Sequence, residues 1–239
     1  LIPQTALMGM SKPMVFDGVD SYVTVPDDST LDITGNFTLA CWFKFTGSDA
    51  PGLLGKWAAA QNSGYAMKVT SNKIRFYSNG EYEASDTDIN DGLWHHLVGT
   101  WDGANAHIYL DGVLDDNGGS GGFANPVANN DEFFIGQIKS VGDNFDGIIN
   151  EVSVWSDDLS LAEVQELFND GVALDVTTHS KAIPTGTGTD YLEGYWRNVG
   201  LGEWEDLSQN TNDGTPTNAS DTILLPEGTT SGKDILGFP

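Results

Sequence analysis

An antiparallel β-sandwich is predicted for this chain of 239 residues by three observations. Short apolar runs with alternating polarity recur from Met14 to Trp155, broken by turn signals at intervals of about 8 to 15 residues. The acidic residues are 25 Asp against 10 Glu, accompanied by 29 Gly and 17 Asn. That mixture belongs to turns, where the backbone goes left-handed or a side chain caps its own loop, and not to helix interiors. No helical period interrupts the strand pattern before residue 160, so parallel strands joined by crossover helices are excluded.

In chain order, Met14–Phe16 and Tyr22–Val25 flank the turn Asp17-Gly18-Val19-Asp20. Phe37 to Phe45 alternates so that Phe37, Leu39, Cys41, Phe43 and Phe45 share one face, which is assigned to the core. Cys41, the single cysteine, forms no intramolecular disulfide and reads as a small buried apolar residue. Further strands are predicted at Tyr65–Val69, Lys73–Tyr77, Trp94–Trp101, His107–Leu110, Phe133–Ile135 and Ile148–Trp155. Ser78-Asn79-Gly80, Asp102-Gly103 and Asp111-Gly112 carry hairpin chemistry. One short helix follows. Ser160 and Glu163 make a capping box, Leu161, Val164, Leu167 and Phe168 form an apolar stripe, and Asn169-Asp170-Gly171 supplies the stop. With one apolar face, that helix is expected against the edge of the sandwich. Residues 1–13 read as a leader or arm and 176–190 as a polar linker, with a turn-rich segment at 191–239. A start without Met and an end on Gly-Phe-Pro suggest an excerpt of a longer protein.

The net charge of −25 excludes a basic stripe for nucleic acid and argues against anionic lipid. No run approaches the ~18 apolar residues of a membrane helix, and residues 1–10 lack the charged region that opens a signal peptide. Most of the Asp residues read as solvated surface, although they also offer oxygen ligands to hard cations.

The blocks Val15-Phe16-Asp17-Gly18-Val19-Asp20, Phe37-Thr38-Leu39-Ala40-Cys41-Trp42, Asp91-Gly92-Leu93-Trp94-His95-His96, Tyr109-Leu110-Asp111-Gly112 and Phe145-Asp146-Gly147-Ile148-Ile149-Asn150-Glu151-Val152 occur in that order before the capped helix. This arrangement closely resembles the laminin G-like members of the concanavalin A-like lectin/glucanase superfamily. The resemblance implies an all-β, antiparallel jelly-roll sandwich over residues 14–175 with one short helix on its C-terminal side. It speaks to fold more than to ligand, because such folds host many functions. A strand of the type Gly194-Tyr195-Trp196, with the turn Asn210-Thr211-Asn212-Asp213-Gly214, ordinarily opens the family domain and here follows the helix. It either completes this sandwich or starts a further repeat, or it pairs with a neighbouring chain. The overall combination, with the tail Leu224–Thr230, also resembles surface proteins of tailed phages.

The residues favour binding over catalysis. Family glucanases carry paired carboxylates on one strand face about 5 Å apart. Glu81/Glu83, Asp86/Asp88 and Glu203/Glu205 have the spacing without the family's surrounding sequence, and read as surface acids. His95 and His96 are adjacent on a strand and point to opposite faces. Serine-hydrolase, phosphate-loop and zinc motifs are absent. The resemblance implies a structural Ca²⁺ held near Asp17, Asp20, Asn150 and Glu151, with Asn150 standing where the family often has Asp. Trp57, Tyr77, Tyr82, Trp196 and Trp204 lie in or near turns and are candidate carbohydrate platforms, whereas Trp42, Trp94, Trp101 and Trp155 fall in regular runs and read as packing. The sequons at Asn36 and Asn218 matter only in a eukaryotic secretory setting. The expectation is a non-catalytic, lectin-like module for glycan recognition or adhesion on an extracellular or virion surface. The alternative is a structural particle decoration whose partners are neighbouring protein subunits, and a glycoside hydrolase ranks third.

Overall fold

Turn chemistry and alternation cut the chain into short strands, as follows. The computed structural model describes residues 12–45, 47, 51–58, 63–116, 118–138, 143–182, 191–198 and 204–221. Its strands are β1 (Met14–Asp17), β2 (Tyr22–Val25), β3 (Phe37–Phe45), β4 (Gly52–Ala58), β5 (Ser63–Thr70), β6 (Lys73–Ser78), β7 (Glu81–Ala84) and β8 (Trp94–Trp101). They continue with β9 (Asn105–Leu110), β10 (Val113–Leu114), β11 (Ser120–Gly121), β12 (Phe133–Ile135) and β13 (Asp146–Trp155). Helix α1 (Leu161–Phe168) precedes β14 (Leu192–Trp196), β15 (Thr215–Thr217) and β16 (Ser220–Asp221). Among the described residues these strands form two antiparallel sheets. The first runs β10-β9-β8-β3-β13-β1-β16, with β11 on β9 and β14 on β13, and the second runs β15-β2-β12-β4-β5-β6-β7.

The core lies between the sheets. Phe37, Leu39, Cys41, Phe43 and Phe45 all belong to it, as their alternation requires, and burial pushes the Cys41 thiol far above its ordinary pKa. The hairpin turns behave as their residues dictate: Asn79-Gly80 and Asp111-Gly112 both take left-handed backbone, with φ of 47° and 94°, and of 52° and 75°. Ser71-Asn72 makes a further turn of this kind between β5 and β6, with φ of 53° and 63°.

Strand β13 organises the first sheet. One side pairs with β3. The other is shared end to end, β1 pairing with Asp146–Ile149 and β14 with Val152–Trp155. With β15 on β2 and β16 on β1, the described stretches 191–198 and 204–221 are hydrogen-bonded into both sheets. Trp196 and Trp204 are therefore not the exposed platforms expected of them. Both are fully buried in the inter-sheet core. Trp196 stacks on Phe133 of the opposite sheet (centroids 5.1 Å, planes 18°), and its Nε1 donates to the carbonyl of Asn212 at 2.7 Å. Gly194 shares the face of Trp196, and a Cβ there would come within 2.2 Å of the indole, so the Gly-x-Trp pattern reserves the space that the ring fills.

Helix α1 lies on the outer face of the first sheet and not at an edge. Val164 and Leu167 pack with Ala40, Val98, Tyr109 and Trp155, and Phe168 stacks on Trp42 at 6.0 Å. The outward residues of β3 include Ala40 and Trp42, which water would solvate poorly, so this face needs a cover. The stretch read as a linker begins as part of that cover: Val176–Thr178 is a 3₁₀ turn, and Val176, His179 and Ala182 are buried beside Trp155. Residues 183–190 of that linker and 1–11 of the leader lie outside the described residues.

At the base of the β8–β9 hairpin, His95 is held between two carboxylates, Nδ1 at 2.9 Å from Asp111 and Nε2 at 3.1 Å from Asp91. Burial opposes its charge, but the two acids together raise its pKa above the ordinary value. Its neighbour His96 is fully enclosed, and burial lowers it to about 4.

Replacing Trp196→Ala is expected to cost about 3–5 kcal/mol in chemical denaturation; an unchanged midpoint would show that the stack carries no load. A proton bound more tightly in the folded state stabilises fully below the unfolded value of roughly 6.5 and is lost as pH rises through the raised folded value. His96 acts in the opposite sense, losing stability as pH falls below roughly 6.5. The stability difference between the wild type and His95→Gln is therefore expected to shrink as pH rises above neutrality, and a pH-independent difference would contradict a charged His95.

Candidate functional site

The outer faces of the two sheets differ. The first is covered by α1 and the 172–182 turn, whereas no helix of the described residues packs on the second. Register places Phe134, Gly55, Ala66, Tyr77 and Tyr82 opposite one another across β12, β4, β5, β6 and β7. Cross-strand partners share a face, so these residues form one row across the sheet. Trp57 lies two residues along β4 from Gly55 and joins the row. Its ring meets Tyr77 edge-on at 5.6 Å, and Tyr77 meets Tyr82 at 5.3 Å. The Arg75 guanidinium stands 4.3 Å over the Tyr82 ring.

Accessibility divides the labour along this row. Trp57 is 8% exposed and is clustered with Ala66 and Ile138, so it is a foundation and not the open platform expected from its place near a turn. Tyr77 is half-buried and Tyr82 is 41% exposed. Of the five aromatic residues singled out from sequence, the structure joins Trp57, Tyr77 and Tyr82 and sends Trp196 and Trp204 into the core. Arg75 is the residue that sequence reasoning missed. Its alternation with Tyr77 on β6, two positions apart, was the available signal.

At one end of this sheet the β6–β7 turn, the start of β5 and the loop before β12 line an open depression with a volume of about 600 Å³. Ser63, Asn79, Val127, Asn129, Asn130 and Asp131 line it. Its loop is pinned by Asp32, which accepts the N–H of Asn129 at 3.2 Å and ion-pairs with Lys56 Nζ at 2.9 Å. Lys56, 1% exposed, also pairs with Asp27. A buried ammonium needs such partners, and here they tie the loops to the end of β4.

The four residues considered for calcium are not brought together as a ligand set. Asp17 Oδ1 accepts the N–H groups of Val19, Asp20 and Ser21 at 2.9, 3.2 and 3.2 Å, capping its own turn. Partial burial opposes the charge of Asp17, yet these bonds with that of Ser21 Oγ hold its carboxyl below the ordinary value. Asp20 is exposed in the same turn. Asp17 pairs with Asp146, four positions before Asn150 and hence roughly 13 Å away along β13. Asn150 is fully buried opposite Trp42. Glu151 occupies a bulge with φ of 51°, accepts the Tyr195 hydroxyl and pairs with Arg197 at 3.2 Å. A cation there would have to displace the guanidinium. Among the described residues no group of three or more His, Cys, Asp or Glu could hold a metal ion.

The acid pairs considered for catalysis are edge features. Glu81 is exposed on β7, while Glu83 is buried and accepts the N–H of Ala84 at 2.9 Å. Asp86 and Asp88 are exposed, and Glu203 lies outside the described residues.

A family model described as the concanavalin A-like lectin/glucanases superfamily, of laminin G type, matches residues 17–165, well over half of the chain. The chain belongs to that superfamily. Among curated relatives, a rat protein named for sushi, von Willebrand factor type A, EGF and pentraxin domains is 25% identical over 170 residues, 66% of this chain but 5% of that protein. The chain thus spans a small fraction of the curated relatives it matches. Among solved structures, a Bacteroides ovatus protein described as a candidate carbohydrate-binding protein superposes with a TM-score of 0.70 at 17% identity, over 91% of this chain and 61% of the other. The heptameric SAP-like pentraxin of Limulus polyphemus gives 0.56 at 14%, over 84% and 97%. Mouse laminin α1 domains LG4-5 give 0.51 at 14%, over 63% and 44%. At these identities the likeness is one of fold, and this superfamily member carries it in both sheets.

Chelation by EDTA is expected to leave the melting temperature of the superfamily domain where it is. A fall of several degrees, reversed by Ca²⁺, would show that the domain holds a structural cation after all.

Proposed function

We propose that this chain is a non-catalytic, lectin-like glycan-binding module that works outside the cell. The observation that carries this reading is the run of ring contacts Trp57–Tyr77–Tyr82 on the outer face of the second sheet, which ends on the 41% exposed Tyr82. Sugar rings present flat C–H faces that pack on aromatic rings, and a row of rings across strands suits an extended chain better than a compact metabolite. Superfamily membership and the fold likeness to a candidate carbohydrate-binding protein support the reading. The extracellular setting is supported by the domain names of the curated relatives. The acid pairs support binding without turnover, since Glu83 is engaged with its own strand and Asp88 pairs with Lys73 at 3.5 Å.

A glycan array or affinity gel with neutral polysaccharides tests this directly. Tyr82→Ala is expected to weaken retention roughly threefold to tenfold, which corresponds to the about 0.5–1.5 kcal/mol of an aromatic contact, while leaving stability nearly unchanged because the ring is exposed. Absence of binding to any polysaccharide, with recovery of the chain in a particle, would favour decoration through protein contacts instead. Turnover of a β-glucan that is lost in Glu83→Gln would overturn the non-catalytic assignment.

A further inference from the structure

The cavity at the end of the second sheet has no part in the aromatic row itself, yet its chemistry is specific. Three asparagines and a serine line it, each offering both donor and acceptor groups, with the exposed Val127 beside them. Vicinal hydroxyls, which also donate and accept, match such amides two at a time. Neither the Asn79 nor the Asn130 side chain has a hydrogen-bond partner among the described residues, whereas Asn129 bonds locally, donating to the Val127 carbonyl and accepting from Asp131 N–H. The lining contains no lysine or arginine and does include Asp131, in a chain of net charge −25. An anionic ligand would meet repulsion there and no compensating cation.

The walls are held in place before any ligand arrives. Asn79 is fixed in a left-handed turn, and its N–H donates to the Gly64 carbonyl at 2.9 Å, tying the β6–β7 turn to the start of β5. Ser78 Oγ donates to the Ala124 carbonyl at 2.7 Å, and Asp32 receives the N–H of Asn129 on the far wall. Gly64 itself lies beneath, where a Cβ would come within 3.2 Å of Asn129 Nδ2. Position completes the case. Gly64 is the cross-strand partner of Trp57, and Asn79 sits in the turn that joins the strands of Tyr77 and Tyr82. A volume of about 600 Å³ falls within the roughly 300–1,000 Å³ of small-ligand sites, and the open side leaves room for the rest of a glycan to leave toward Tyr77 and Tyr82.

We propose that this cavity is an end-on subsite, taking one or two terminal units of a neutral, hydroxyl-rich saccharide through Asn79, Asn130 and Ser63. The remainder of the glycan then lies along Tyr77 and Tyr82. The inference rests on the glycan-binding reading and adds to it the site of specificity, the uncharged class of sugar and recognition from a chain end.

The test is an NMR titration of the ¹⁵N-labelled chain with free neutral monosaccharides (glucose, galactose, mannose, fucose and N-acetylglucosamine), with glucuronate as the anionic control. At least one neutral sugar is expected to shift the amides of Asn79 and Asn129–Asp131 with a Kd on the order of millimolar. Asn79→Ala and Asn130→Ala are expected to weaken that binding roughly tenfold. Tyr82→Ala is expected to weaken polysaccharide retention and so reports on the aromatic row separately. If no neutral monosaccharide moves these amides while polysaccharide binding still depends on Tyr82, the subsite is wrong and the glycan-binding face stands. Tighter binding of glucuronate than of every neutral sugar also overturns the subsite. Loss of both kinds of binding removes the subsite together with the reading beneath it.

Discussion

The stack of Trp196 on Phe133 joins everything that matters in this molecule. Trp196 comes from β14, which extends the first sheet along the half of β13 that β1 leaves open, and Phe133 begins β12 in the second sheet. The contact therefore closes the sandwich, anchors the segment beyond residue 191 and fixes the strand that follows the cavity-lining loop. Its constraints reach back into sequence: Gly194 must be small so that the indole fits, and Asn212 must present its carbonyl to Nε1. The cavity-lining loop at the end of the second sheet is thus positioned by residues far from it in sequence.

A second constraint acts from the other side. Lys56 has almost no exposure, and Asp27 and Asp32 neutralise it at the same end of the sheet. Removing one acid would leave a buried ammonium short of partners, an arrangement that proteins tolerate poorly. The same Asp32 carboxylate receives the backbone of the cavity loop, so charge balance in β4 and the shape of the cavity are one arrangement. Two small residues, Gly55 and Ala66, sit in the middle of the outer row, where Trp57 forms a buried cluster with Ala66 and Ile138 beside the half-buried Tyr77.

How much of this could be read from the chain alone depended on whether a residue's role was local. Alternation exposed β3, β8 and β13, and Asn-Gly and Asp-Gly marked the turns of β6–β7, β8–β9 and β9–β10, because strand period and left-handed backbone are properties of short segments. Strand β4 escaped notice. Gly52-Leu53-Leu54-Gly55-Lys56-Trp57 shows no alternation, since its glycines answer to tight contacts with neighbours and its lysine to two distant acids. The helix was legible, but its seat on the sheet face was not, because that seat follows from the apolar outward residues of β3 and from the 172–182 turn. The candidate site divided in the same way. Tyr77 and Tyr82 were visible as aromatics beside a turn. Trp196 and Trp204 looked alike locally and differ only in that long-range pairing turns them inward. The proposed calcium ligands came from resemblance, and the Arg197–Glu151 pair that competes for one of them depends on a strand more than forty residues away.

The central claim is that this superfamily member recognises a glycan on the outer face of its second sheet and not beside the Asp17 turn or the β13 bulge. The most direct measurement is a crystal structure of the chain with a neutral oligosaccharide bound. The account predicts a sugar ring against Tyr82 and a terminal unit within hydrogen-bonding distance of the Asn79 and Asn130 amides. Density for the sugar beside Asp17 and Glu151, with the aromatic row empty, would contradict it.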